Sequence, residues 1–171
     1  MRIILASDIH GLPADADWLG EDLEVEIIRL SAAAGAGHLT GEALHHYLFS
    51  DGGMDAAVAH LASFGDGETA GIGFSAGGTA LWRAVAKGMP LRALVCVSST
   101  RLRQETSRLS IPAHTFWGGN DPNIPDETWR ASMPTSSRIY EGQEHGFYQE
   151  PEAKDVGRLR TDIRQALGLD R

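Results

Sequence analysis

With 171 residues, 42% of them hydrophobic, the chain is long enough for one domain over residues 1–171 with a core of its own. Its net charge of −8 argues against nucleic acid or an anionic membrane as a partner, because both carry negative charge themselves. A single cysteine, Cys96, excludes an intramolecular disulfide and fits a reducing compartment. The N-terminal apolar run is too short for a signal peptide or a membrane span, so we expect a cytoplasmic protein.

Strand and helix patterns alternate along almost the whole chain. Short runs rich in Ile, Leu and Val predict six strands, at Arg2–Ser7, Glu24–Leu30, Thr69–Phe74, Arg92–Ser98, Ala113–Trp117 and Ser137–Glu141. Helical patterns predict five helices, at Ala14–Glu21, Gly53–Ser63, Ser75–Lys87, Asp126–Ser132 and Pro151–Leu167. Such alternation predicts a mainly parallel sheet with helices on both faces, which is a three-layer α/β sandwich.

One connection, residues 32–52, is long for this pattern and predicts a short helix from about Glu42 to Phe49. A long segment that leaves the carboxyl end of a strand lies over the edge of the sheet where ligands bind in open α/β sheets. We therefore expect residues 32–52 to form a lid or a wall of a pocket.

Ser75 is the centre of a G-x-S-x-G pattern, residues 73–77, between a predicted strand and a predicted helix. A serine on so tight a turn has a strained backbone that exposes its hydroxyl at the edge of the sheet. The small residues around it let the strand and the helix approach each other. The pattern therefore predicts a nucleophilic serine.

An acid and a base follow in the chain. Asp121 comes after a predicted strand and opens a turn, and His145 lies in the loop after the last predicted strand. Since the carboxyl ends of parallel strands meet at one edge of a sheet, Ser75, Asp121 and His145 are expected to converge there. Asp126 is a weaker candidate for the acid, because it is better explained as the N-cap of the next helix.

These residues give the chain a resemblance to the α/β-hydrolase superfamily, and within it to the dienelactone-hydrolase-like branch. The order Ser, Asp, His is that of the superfamily. The other matching motifs are Ser-Asp-Ile-His-Gly-Leu at 7–12, Trp-Gly-Gly-Asn-Asp at 117–121 and Tyr-Glu-Gly-Gln-Glu-His-Gly-Phe at 140–147. The resemblance implies a parallel sheet, a Ser-His-Asp triad and an oxyanion hole with one donor from the loop after the first strand.

Two departures from the superfamily shape this expectation. The chain begins at what resembles the third strand, so we expect a minimal core of about six strands without the first two strands and without a lid domain. Dienelactone hydrolases carry a cysteine nucleophile, whereas this chain has Ser75, which favours a serine esterase-like relative.

The predicted activity is a serine hydrolase that cleaves a small ester, thioester or lactone through an acyl-enzyme, with no cofactor and no metal ion. His145 would take the proton of the Ser75 hydroxyl and return it to the leaving group, while Asp121 holds the imidazole. The backbone N–H groups of Ala76 and Ile9 are expected to form the oxyanion hole, with His10 as the alternative to Ile9.

Five further residues are candidate substrate contacts: Asp8, His10, His38, Trp117 and Phe147. Asp8 ends a strand near the expected oxyanion loop, where it could bind substrate, tune the nucleophile or order the loop. Trp117 and Phe147 flank the triad motifs and could line an acyl pocket or belong to the core. Arg101 and Arg103 could hold a substrate carboxylate, although a solvated loop explains them better.

Two alternatives belong to other functional classes. Asp8 and His10 also match the D-x-H opening motif of calcineurin-like metallophosphoesterases, in which both residues bind a metal ion. The remaining motifs of that family are missing, so this alternative rests on one motif. The second is an α/β-hydrolase-fold binding protein without catalysis. Separately, the absence of the superfamily's first two strands leaves a sheet edge that a second copy could cover, so a homodimer is possible.

Overall fold

A six-stranded sheet forms the centre of the computed structural model, which describes residues 1–170. The strands are β1 (Ile3–Ala6), β2 (Val25–Ile28), β3 (Ala70–Phe74), β4 (Ala93–Val97), β5 (Ala113–Gly118) and β6 (Ser136–Tyr140). They pair in the order β2-β1-β3-β4-β5-β6, and every pair is parallel. Strands β1, β3 and β4 are buried along their whole length, as expected for short apolar strands covered on both faces.

Helices cover both faces of this sheet. They are α1 (Leu30–Ala33), α2 (Gly41–Ser50), α3 (Gly53–Ala62), α4 (Ala76–Ala86), α5 (Glu127–Ser132) and α6 (Val156–Leu167). Alternate residues of β4 enter two separate apolar clusters, with Leu94 in the cluster that contains α3 and α4 and Val95 in the cluster that contains α6. The predicted three-layer α/β sandwich with about six parallel strands is confirmed.

Prediction and structure differ most at the ends of helices. The helix predicted at Ala14–Glu21 is only a 3-10 turn at Ala16–Leu19, which Asp15 caps by accepting a hydrogen bond from the N–H of Asp17. The last helix begins at Val156 instead of Pro151, because residues 151–155 form turns. The N-cap predicted at Asp126 is present, since its side chain accepts a hydrogen bond from Trp129 N–H at 2.9 Å.

The segment 32–52 contains α2, one residue longer at each end than the predicted helix. The single turn α1 before it was not predicted, because four residues are too few to show a helical period. Among residues 1–170, no helix combines the length and the apolar character needed to cross a bilayer. The carboxyl ends of β1, β3, β4, β5 and β6 all meet at one edge of the sheet, and the site lies there.

Candidate active site

Ser75 lies on the turn between β3 and α4 with φ 50° and ψ −121°. A positive φ is unfavourable for a residue with a side chain, so the surrounding structure must impose it. The Ser75 N–H donates to the carbonyl of Val97 at 2.8 Å, which ties the turn to β4. A Cβ at Gly77 would lie 2.3 Å from the carbonyl oxygen of Ser7, so only glycine allows this close approach of α4 to the end of β1.

A chain of two hydrogen bonds joins the three predicted triad residues. The Oγ of Ser75 lies 3.1 Å from Nε2 of His145, and Nδ1 of His145 lies 2.5 Å from Oδ2 of Asp121. With a proton on Nδ1 donated to the carboxylate, Nε2 is the acceptor for the Ser75 hydroxyl. The side chain of Asp121 is 2% exposed, whereas that of His145 is 42% exposed. The arrangement has a buried acid, a half-exposed base and an accessible alcohol.

The loops that carry the acid and the base are themselves held in place. Oδ1 of Asp121 accepts a hydrogen bond from the N–H of Asn123 at 3.0 Å, which leaves Oδ2 to His145. The carbonyl of His145 accepts a hydrogen bond from Oγ of Ser98, at the end of β4, at 2.7 Å. The acid is thus held by a contact within its own loop, and the base loop by a contact with the residue that follows β4.

A cavity of about 220 Å³ opens beside Ser75 and His145. One wall belongs to α2, which contributes His45 and Phe49, so residues 32–52 do line the pocket. Partial burial, and then the positive charge of Arg101, lower the pKa of His45, so this imidazole is neutral near pH 7. The expected wall is present, but His45 replaces the predicted His38, which is exposed and lies outside the cavity.

A second wall is the 3-10 turn Thr100–Gln104 after β4, through Thr100, Arg101 and Arg103. The Arg101 guanidinium lies over the Phe49 ring, 4.6 Å from its centroid. Arg103 donates to the carbonyl of Thr100 at 2.8 Å. Neither guanidinium forms an ion pair with a carboxylate within residues 1–170. Two uncompensated positive charges therefore lie at the cavity.

The structure places both predicted oxyanion donors beside the cavity. Ile9 and Ala76 both line the cavity, and neither backbone N–H is hydrogen-bonded to another group of residues 1–170. Ala76 opens α4, where the free N–H groups and the helix dipole favour negative charge. The alternative donor, His10, is unsuitable because its N–H donates to Oδ1 of Asp8 at 2.8 Å.

Two of the predicted substrate contacts, Trp117 and Phe147, belong to the core instead, and both predictions are wrong. Trp117 is fully buried and donates its indole N–H to Oγ of Ser137 at 2.9 Å. Phe147 is buried and packs against the ring of Tyr140 at a centroid distance of 5.3 Å. His10 is exposed and lies outside the set of cavity residues.

Asp8 also lies outside the cavity, so the predicted substrate contact is wrong for it as well. The residue is 1% exposed, and its carboxylate accepts four hydrogen bonds from protein groups. Of the roles considered for Asp8, loop ordering fits this geometry. These four hydrogen bonds also argue against the metallophosphoesterase alternative, because the Asp8 carboxylate would then have to bind a metal ion. In residues 1–170 no three His, Cys, Asp or Glu side chains are grouped as metal ligands.

Two residues of α2, His45 and Phe49, line the pocket although the sequence analysis does not single them out. Their spacing of four residues places them on one face of a helix, which was the available signal. Which way that face points depends on how α2 packs against α3, and no local pattern reveals this.

No family model matches the sequence, and no curated protein matches it either. Solved structures do share its fold. A Thermoplasma acidophilum protein named as a CIB-like hydrolase has a TM-score of 0.62 and 18% identity, and the match covers 96% of this chain and 86% of that one. A Klebsiella pneumoniae protein named as a dienelactone hydrolase has a TM-score of 0.66 and 18% identity, with 99% and 87% covered.

A third similar structure is YbtT, the type II thioesterase of the yersiniabactin pathway, with a TM-score of 0.55, 11% identity, and 98% of this chain and 91% of that one covered. At identities this low the likeness concerns the fold and not the activity. Together with the parallel sheet and the strained serine turn, it confirms the resemblance seen in the sequence: this chain has the α/β-hydrolase fold.

Proposed function

We propose that this chain is a serine hydrolase that cleaves a small ester or thioester through an acyl-enzyme. The observation that carries the proposal is the continuous path from Ser75 Oγ through His145 to the buried Asp121, with distances of 3.1 and 2.5 Å, beside an open cavity. A serine hydroxyl becomes a useful nucleophile only when an adjacent base accepts its proton, and the path supplies that base.

The reaction begins when His145 Nε2 takes the Ser75 proton and Oγ attacks the substrate carbonyl carbon. The carbonyl oxygen becomes an oxyanion, which the N–H groups of Ile9 and Ala76 stabilise. Loss of one such donor typically costs about 3–4 kcal/mol of barrier. His145 then gives its proton to the leaving alcohol or thiol, and the acyl group stays on Ser75. A water molecule, activated by the same imidazole, attacks the acyl-enzyme and releases the acid.

The cavity limits the acyl group. At about 220 Å³ it is smaller than the 300–1,000 Å³ of pockets that take drug-sized ligands, so a short acyl chain suits it best. Similar structures include proteins named as a thioesterase and as a dienelactone hydrolase. A lactone therefore remains within the proposed range, since its ring opening uses the same attack on a carbonyl.

An active-site-directed fluorophosphonate tests this proposal, together with short-chain p-nitrophenyl and thiol esters as substrates. Replacing Ser75 by Ala removes the nucleophile, so we expect labelling to vanish and kcat to fall by at least about 1,000-fold. The control is Ser110→Ala, which removes an exposed hydroxyl outside the cavity and should change neither signal.

Other outcomes would decide for the alternatives. Phosphatase activity that survives Ser75→Ala and disappears with a chelator would overturn the proposal in favour of a metallophosphoesterase. A wild-type protein that is folded by circular dichroism, yet neither labelled nor active on any of these esters, would indicate a binding protein without catalysis.

A further inference from the structure

Asp8 is a buried acid that the proposed reaction does not use. It follows β1, is 1% exposed, and accepts two hydrogen bonds on each carboxylate oxygen. Four donors require four acceptor positions, which an ionised carboxylate offers and a protonated acid or an amide does not. Bonds to a charged acceptor are also roughly twice as strong as bonds between neutral groups. The Asp8 carboxylate therefore forms four strong hydrogen bonds, and the donors show which segments of the chain it joins.

On one side Asp8 closes the loop that contains the oxyanion donor. Its Oδ1 accepts hydrogen bonds from the N–H of His10 at 2.8 Å and of Leu12 at 2.9 Å. Its own N–H donates to the carbonyl of Leu12 at 2.8 Å. The carboxylate thus binds the N–H groups on either side of the loop and leaves the N–H of Ile9 without a partner in residues 1–170, next to the cavity.

On the other side Asp8 reaches the segment that follows the catalytic base. Its Oδ2 accepts hydrogen bonds from the Tyr148 hydroxyl at 2.7 Å and from Nε2 of Gln149 at 2.9 Å. These residues lie three and four positions after His145. Burial, followed by the nearby Asp8 charge, raises the pKa of Tyr148 well above its ordinary value, so the phenol remains protonated and can donate.

We propose that Asp8 is a positioning residue that fixes the oxyanion donor Ile9 N–H relative to His145. The inference rests on the proposed hydrolase function and assigns Asp8 no contact with substrate. An oxyanion hole acts only when its donors are held at the position that the charged oxygen will occupy. A single carboxylate that ties both loops together provides that rigidity from outside the cavity.

The principal test is Asp8→Asn, which keeps the shape but replaces two acceptor positions by donors. We expect kcat on a short-chain ester to fall by about 100-fold, in the range seen when an oxyanion donor is lost, with KM changed less than threefold. The affinity of a trifluoromethyl ketone, whose adduct with Ser75 carries the oxyanion, should fall by the same factor as kcat/KM. The Ile9 amide signal in a ¹⁵N spectrum should also shift.

A pair of tyrosine variants separates positioning from a loss of stability. Tyr148→Phe removes one donor to Asp8, and we expect a 5- to 20-fold fall in kcat. The matched control is Tyr140→Phe, because Tyr140 also donates its hydroxyl to an aspartate, but to Asp162 on α6 and not to the oxyanion loop. Both variants lose a hydrogen bond between a phenol and a carboxylate, so we expect both melting temperatures to fall while only Tyr148→Phe loses activity.

Equal effects of the two tyrosine variants on kcat, or an Asp8→Asn effect confined to KM, would overturn the positioning role. If Asp8→Asn does not fold, the tyrosine pair decides alone. Failure of the proposed function is recognised separately, because the wild-type protein would then neither hydrolyse esters nor react with the fluorophosphonate.

Discussion

Arg101 and Arg103 bring two positive charges to the cavity of a protein whose net charge is −8. Neither has an anionic partner within the described chain, and Arg101 is held against the Phe49 ring. Cations placed at a cavity without counter-ions attract anionic ligands, and the attraction weakens as salt rises. These two arginines therefore bear on which substrates the site prefers.

We expect an ester with a free carboxylate on its acyl chain, such as a succinate monoester, to have a lower KM than a neutral ester of equal length. Replacing Arg101 by Gln should raise the KM of the anionic ester about fivefold, the equivalent of about 1 kcal/mol for a partly exposed charge pair. The neutral ester should be unaffected. The control is Arg108→Gln, an exposed arginine outside the cavity. Steady-state kinetics at 20 and 500 mM salt measures the KM of each ester and its dependence on salt. An equal rise in KM for the anionic and the neutral ester in Arg101→Gln would contradict the prediction.

The positions of Ser75, Asp121 and His145 could be predicted from the sequence because each lies in a short motif at the end of a strand. The topology of a parallel sheet then brings strand ends together. Trp117 and Phe147 were misplaced because an aromatic residue beside a motif can point to the core as well as to the pocket, and packing decides between them. Local sequence patterns report where a residue lies along the chain and not which cavity its side chain enters.

Among the packed elements, the end of β5 lies directly against the loop that carries His145. A Cβ built on Gly118, the last residue of β5, would lie 2.4 Å from the carbonyl oxygen of Glu144. Such a distance is far inside van der Waals contact, and the obstacle is backbone. The residue before His145 must therefore move if this glycine acquires a side chain.

Gly118→Ala is expected to displace the His145 loop, to lower kcat at least tenfold and to lower stability by about 1–3 kcal/mol, as overpacking usually does. The control is Gly157→Ala in α6, where a new Cβ meets nothing within 4 Å. That variant should keep full activity and gain up to about 1 kcal/mol, because alanine favours a helix. Urea unfolding and ester hydrolysis measure the two properties, and an active Gly118→Ala would contradict the proposed contact.

The core elements could be predicted well and the helix ends poorly, for a physical reason. Strands such as β3 and β4 are continuous apolar runs, whereas the start of α6 is set by turns at residues 151–155 and by a left-handed Asp155 with φ 73°. A fragment of one turn, such as α1, is stabilised by its surroundings and has no period of its own to detect.

At the scale of the whole molecule, Cys96 reports on the integrity of the sheet. It lies fully buried in the middle of β4, and burial raises the pKa of its thiol, so very little thiolate exists in the folded state at pH 8. We expect a thiol reagent to leave the folded protein unmodified for hours and to react within minutes in denaturant. The midpoint of reactivity against urea should match that of circular dichroism, and rapid stoichiometric labelling of the native protein would contradict this.

The sheet order places Ser75 and His145 after strands that are not neighbours. Ser75 follows β3, whereas His145 follows β6, the outermost strand on that side, which is bonded only to β5. His145 nevertheless lies 3.1 Å from Ser75 Oγ, so its loop reaches from the end of β6 past the ends of β5 and β4, and this contact depends on β6 staying paired with β5. Outermost strands open more readily than central ones. The proposed hydrolysis would accordingly be lost through local fraying of β6, under conditions at which most of the sheet is still folded.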